Sequence, residues 1–153
     1  MRERVYDFDE RKMVEEEWAP VVKEWLEEMF GSPVYDVREL KLEFDFMVGD
    51  GDITFDLKAD TLMHRTGNIF VETESDIEAG KPGWLYNTQV DYIIYLDTVN
   101  RELYLIPMPL LQAHEREIKT YPYKTVKNRG WTAGGHLVPI EVVKKWGIRR
   151  WKL

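Results

Sequence analysis

The spacing of apolar and polar positions changes several times along the chain, and each change marks an element. Residues 10–30, ERKMVEEEWAPVVKEWLEEMF, place Val14, Trp18, Val21, Val22, Trp25, Leu26 and Met29 at helical spacing, and Gly31 followed by Pro33 ends the run. This predicts an amphipathic helix that either kinks at Pro20 or restarts there. Period two follows: LKLEFDFMV and DITFDLKAD, separated by Gly49-Asp50-Gly51, read as a β-hairpin. On its first strand Leu42, Phe44, Phe46 and Val48 share one face, and Glu43, Asp45 and Met47 the other. On its second, Ile53, Phe55 and Leu57 take the apolar face, opposite Asp56, Lys58 and Asp60. Further strands are expected at NIFVETE, VDYIIYLD and RELYLIPM, with a helix over 109–119. Residues 120–136 read as a loop, NRGWTAGG being its most flexible part, and PIEVVKKW as a short terminal helix or turn. The fold class is α/β: a mixed central β-sheet flanked by helices, in one domain over 1–153.

Composition narrows this picture. A chain of 153 residues with 44% hydrophobic content is long enough to bury the core of one domain. No stretch approaches the roughly 18 apolar residues of a membrane span, and MRERVYDFDERK lacks the apolar run of a signal peptide. A soluble intracellular protein with no membrane partner is the expectation. With no cysteine, disulfides and thiolate metal sites are ruled out, so any metal is held by oxygen or histidine.

The net charge of −7 speaks at first against a nucleic-acid partner, but the charge is unevenly spread. From Arg116 onward there are ten Lys and Arg against two acids, a segment of net +8 after a body of net −15. A cation-binding site beside a phosphate-binding surface has this asymmetry; a solvated basic C-terminal helix is the plainer alternative.

The hairpin then offers chemistry. Asp45, Asp56 and Lys58 lie opposite the phenylalanines, and cross-strand neighbours are about 5 Å apart, so the three can converge. Two carboxylates brought together repel unless a cation lies between them, and hard oxygen ligands suit Mg²⁺ or Mn²⁺. Such an ion activates water and binds a phosphate, while Lys58 stabilises developing charge.

The spacing Asp-x10-Asp-x-Lys on a hairpin after a helix resembles the PD-(D/E)xK nuclease superfamily, and within it archaeal-type Holliday junction resolvases and related phage-encoded proteins. DLKADTLMHRTGNIFVE, then KPG and DYIIY, and later GGHLVPIEVV carry the likeness to the phage proteins, over roughly residues 10–143. The resemblance implies a restriction-endonuclease-like core, with Asp45 and Asp56 as metal ligands and Lys58 as the catalytic lysine. It also implies a Mg²⁺-dependent, structure-selective DNA endonuclease, with Mn²⁺ as substitute, that resolves four-way junctions in DNA recombination as a homodimer. If phage-encoded, it would act in the host cytoplasm. Phe44 stands where the name-giving proline precedes the first aspartate, and Asp56 fills a place more often held by glutamate.

Members of this family usually add a glutamate from the N-terminal helix. Glu15 and Glu17 lie at the two edges of its apolar face and compete for that role as catalytic residue or metal ligand, while Glu16 points outward. A rival assignment uses Glu72-Thr73-Glu74 with Asp56 and leaves Lys58 without a place in the motif; in either case Glu72 is a candidate ligand. Lys127, Arg129, Lys144, Lys145, Arg149 and Arg150 are candidate DNA contacts, and Trp131 either stacks on an exposed base or packs. His64, His114 and His136 have no ligand spacing. Two alternatives stay open: a nuclease of the same fold acting on flaps, single strands or duplex, and a non-catalytic DNA-binding or virion-assembly protein.

Overall fold

The structure, a computed structural model, describes residues 8–153; the opening MRERVYD, read above as lacking a leader's apolar run, lies outside them. In chain order the elements are α1 (Phe8–Phe30), β1 (Val34–Asp36), β2 (Phe46–Val48), β3 (Ile53–Asp60), α2 (Met63–Thr66), β4 (Asn68–Asp76) and β5 (Lys81–Pro82). Then come β6 (Tyr92–Asp97), β7 (Glu102–Pro107), α3 (Met108–Ala113), α4 (Glu115–Ile118), β8 (Tyr123–Asn128), β9 (Trp131–Pro139), α5 (Ile140–Lys145) and β10 (Arg149–Lys152).

The strands form two sheets. Six make a mixed central sheet in the order β1-β2-β3-β6-β7-β10, in which only β3 and β6 run parallel. The other four, β5-β4-β9-β8, form a second, antiparallel sheet. Period two decides which core each central-strand residue joins. Phe55 and Leu57 of β3, with Ile94 and Leu96 of β6, pack against Trp18, Val22 and Leu26 of α1. Ile93, Tyr95 and Ile106 face the other way, onto Ile69 and Val71 of β4 and Val138 of β9. Each fully buried Val or Leu contributes about 1.5–3 kcal/mol, so these two apolar seams hold helix, sheet and second sheet in three layers.

Several sequence expectations need correction. α1 does not restart at Pro20 but runs on from Phe8 to Phe30, with Pro20 at an exposed position of the helix. The first hairpin strand is only Phe46–Val48; Leu42 to Asp45 form an irregular bend. The helix over 109–119 is broken at His114 into α3 and α4. Residues 120–136 are not a loop but most of the β8–β9 hairpin. Its glycines look flexible in sequence but mark close approach: a Cβ on Gly134 would collide with the Tyr123 hydroxyl, and one on Gly135 with the Val71 carbonyl. NIFVETE joins the second sheet as β4, so that layer, and not helices alone, covers one face of the central sheet. The last basic residues form an unexpected strand, β10, whose Trp151 packs edge-on against Trp25 of α1, ring centres 5.0 Å apart.

Candidate active site

Because Phe55 and Leu57 point to α1, Asp56 and Lys58 point to the second layer. There they form an ion pair, Lys58 Nζ to Asp56 Oδ2 at 3.0 Å, with side chains 16% and 13% exposed. So shielded a pair is costly to break, since either partner alone leaves a poorly solvated charge.

Asp45 arrives from the bend before β2. Its N–H donates to the Phe55 carbonyl at 2.9 Å, and its Oδ2 accepts the Leu57 N–H at 2.8 Å. Both bonds are to β3, which carries Asp56 and Lys58, so the two carboxylates meet. Burial pushes the Asp45 carboxyl up, to about 8; the Asp56 charge and a hydrogen bond with its carboxyl act in the same direction, opposed by the Lys58 ammonium and the Leu57 N–H.

These groups open on a cleft of about 610 Å³. Asp45, Asp56 and Glu72 line it with Leu42, Phe44, Gly83, Trp84, Tyr86 and the polar run Asn87 to Gln89. Glu72 comes from β4, and its Oε1 accepts the Trp84 N–H at 3.3 Å. The Trp84 ring centre is 5.9 Å from Lys58 Nζ, within cation–π range, so one residue touches both a carboxylate and the ammonium of the site. Gly83 permits this approach, because a Cβ there would collide with the Glu72 carbonyl oxygen.

A polar clamp fixes β4 against β3. The Tyr95 hydroxyl donates to Asp60 Oδ2 at 2.6 Å and accepts the Phe70 N–H at 3.0 Å. Asp60 Oδ1 in turn accepts the N–H groups of Leu62 and Met63, at the start of the β3–β4 connection. Glu72 stands two residues beyond Phe70 and inherits this registration.

Of the sequence candidates, then, Asp45, Asp56, Lys58 and Glu72 are brought together. Glu74 is not: it accepts from Thr73 Oγ1 at 2.7 Å and the Tyr123 hydroxyl at 3.0 Å, away from the cleft lining. Neither Glu15 nor Glu17 lines the cleft; both lie on α1, which packs on the opposite face of the sheet. The basic residues divide into two groups. Lys127 and Arg129 belong to the β8–β9 hairpin, whose Thr132 carbonyl accepts the Ile77 N–H just past the cleft end of β4. Arg149 and Arg150 lie on β10, at the far edge of the central sheet; Lys58, Tyr95, Tyr104 and Arg150 are consecutive partners across it, a span of roughly 14 Å. Arg150 pairs with Glu102 at 3.7 Å and Lys144 with Glu141 at 2.9 Å, while Lys145 lies exposed on α5. His114 stacks on Trp146 and His136 Nδ1 bonds to the Tyr121 carbonyl, so both are tied into local structure.

Sequence reasoning missed Trp84, Gly83 and Tyr86. Their signal was KPGWLYNTQ, where two aromatics follow the Pro-Gly turn of the KPG stretch that enters the resemblance.

Among the described residues no group of three or more His, Asp and Glu converges as a ready metal cage. The adjacent carboxylates of Asp45 and Asp56 nevertheless fit Mg²⁺, which is held by one or two carboxylates and completes its shell with water and phosphate oxygen. No helix among the described residues is long and apolar enough to cross a membrane. Comparisons of the chain with protein-family models, curated proteins and solved structures find no match.

Proposed function

We propose that this chain is a Mg²⁺-dependent, structure-selective DNA endonuclease of the PD-(D/E)xK type, acting as a Holliday junction resolvase. The observation that carries the reading is the meeting of Asp45 and Asp56 in the lining of an open cleft, with Lys58 paired to Asp56 behind it and Glu72 on its wall. Asp45 and Asp56 would hold Mg²⁺ or Mn²⁺, with Glu72 facing the same cleft. A bound ion of this kind supplies Lewis acidity toward a phosphate oxygen and lowers the pKa of coordinated water. The carboxylates keep that charge at the cleft floor. Lys58, held by Asp56 and flanked by Trp84, is preorganised to stabilise the negative charge that builds on phosphorus.

Lys127 and Arg129 near the cleft, and Lys144, Lys145, Arg149 and Arg150 toward the far edge, would neutralise phosphates of separate DNA arms. A four-way junction presents paired scissile phosphates, so a homodimer with two sites related by a twofold axis suits it. The test is incubation of the purified protein with a synthetic four-way junction and Mg²⁺, beside a matched duplex. Junction cleavage with the duplex intact is expected. Cleavage of flaps or single strands without junction preference would shift the reading to a general nuclease. Binding with no cleavage in Mg²⁺ or Mn²⁺ would replace it with a non-catalytic DNA-binding role.

A further inference from the structure

The cleft is larger than its carboxylates require. A water occupies about 30 Å³, so a six-coordinate ion with its waters would fill roughly a third of the 610 Å³. The remaining space has a different chemistry. Leu42, Phe44 and Tyr86 form an apolar wall, with the Glu43 carboxylate between the first two, and Ser75, Asn87, Thr88 and Gln89 add uncharged polar groups beside it. No lysine or arginine lines the cleft among the described residues, so this space is not shaped for a second phosphate. Leu42 is 49% exposed, a cost in water that an apolar ligand surface would remove. The Tyr86 ring is braced by Lys119, whose ammonium lies 5.8 Å from the ring centre and places a positive charge at the cleft margin.

We propose that the cleft is a pocket for one unstacked nucleotide, its base seated against Leu42, Phe44 and Tyr86 and its phosphodiester lying over Asp45 and Asp56, beside Lys58. The inference rests on the nuclease reading and sharpens its substrate class. Apolar and aromatic walls hold a base by its faces, with hydrogen-bonding groups left for its edge. A base stacked inside a duplex cannot enter; one already unstacked at a branch point or flap can, without the cost of extracting it. Selectivity for branched DNA then arises at the cut itself as well as from the basic surfaces.

The test reads binding by fluorescence anisotropy in Ca²⁺, using a labelled four-way junction and copies that carry one abasic site at each branch-point position in turn. Wild type is expected to lose affinity about ten-fold or more at one position, the scale of a lost base–aromatic stack. Tyr86→Ala should bind the intact DNA about ten-fold more weakly and show no further loss at that position. Leu42→Ser, at an exposed site where folding is not at stake, should show a smaller effect of the same kind and serves if Tyr86→Ala does not fold. Indifference of wild type to every abasic position overturns the pocket. If the protein still cuts DNA in Mg²⁺, only the pocket falls; a position-specific loss without cutting leaves the pocket and overturns the nuclease reading. Failure to bind any DNA overturns both.

Discussion

The Oδ2 of Asp45 accepts the N–H of Leu57, the one residue between Asp56 and Lys58, at 2.8 Å. A side chain from an irregular bend is thereby tied to the middle of the DxK run, and the placement of all three polar groups depends on one strand. Substitutions there separate the roles.

Asp56→Asn is expected to abolish cleavage while leaving junction binding intact or tighter, because it removes a proposed metal ligand and a negative charge from the proposed phosphate site. Single-turnover cleavage and a binding isotherm in Ca²⁺ measure the two halves. Activity within a factor of about ten of wild type, well short of the scale for a lost catalytic charge, would take Asp56 out of the site.

Lys58→Ala should lower the single-turnover rate by a factor on the order of 10² to 10³, the scale for losing one preorganised charge stabiliser. Mn²⁺ binding by calorimetry should persist, since the carboxylates remain. An unchanged rate would leave Lys58 as no more than the partner of Asp56.

The raised Asp45 carboxyl predicts a pH dependence of stability in metal-free protein. Its pKa moves from an unfolded value near 4 up to about 8 in the fold, so between those values the fold retains a proton that the unfolded chain has released. Stability should therefore fall as pH rises through that window. Asp45→Asn removes the effect, and its thermal midpoint in EDTA should gain on wild type from pH 5 to pH 8. A constant difference across that range would show that Asp45 ionises normally.

Junction affinity should fall steeply with salt despite the acidic composition. Each neutralised phosphate contributes a slope of about −0.9 in log K against log salt, and an overall slope of roughly −3 to −6 is expected. Replacing Lys127 and Arg129, or Arg149 and Arg150, with serine should flatten it by about one unit per lost contact. Lys144 and Arg150 should each contribute less, because Glu141 already pairs with the first at 2.9 Å and Glu102 with the second at 3.7 Å. A slope that survives the β10 substitutions would confine the DNA surface to the hairpin.

Gly83→Ala should destabilise the fold by about 1–3 kcal/mol, the range for forcing extra volume into a packed contact. The added Cβ meets backbone, the Glu72 carbonyl, which cannot swing aside as a flexible side chain would. Urea unfolding measures the loss. Wild-type stability would mean that β5 and the Trp84 turn sit further from β4.

What the sequence determined by itself follows from local periodicity. The helical spacing from Val14 to Met29 gave α1, and period two gave β3 and its division into Phe55 and Leu57 against Asp56 and Lys58. That division holds because side-chain direction along a strand needs no knowledge of partners. Partners are what tertiary structure decided. Asp45 meets Asp56 through hydrogen bonds from a bend, not through the alternation of a longer strand. Glu72 reaches the cleft while Glu74 turns to Tyr123, after a register shift where β4 pairs with β9, more than fifty residues later. The β8–β9 hairpin looked like a loop because β8 is an edge strand with no fully buried position and β9 carries glycines whose purpose lies in the neighbouring strands β4 and β8. Trp84 could not be placed either: its contacts with Glu72 and Lys58 span 12 and 26 positions, and only packing of the second sheet on the first brings them within reach.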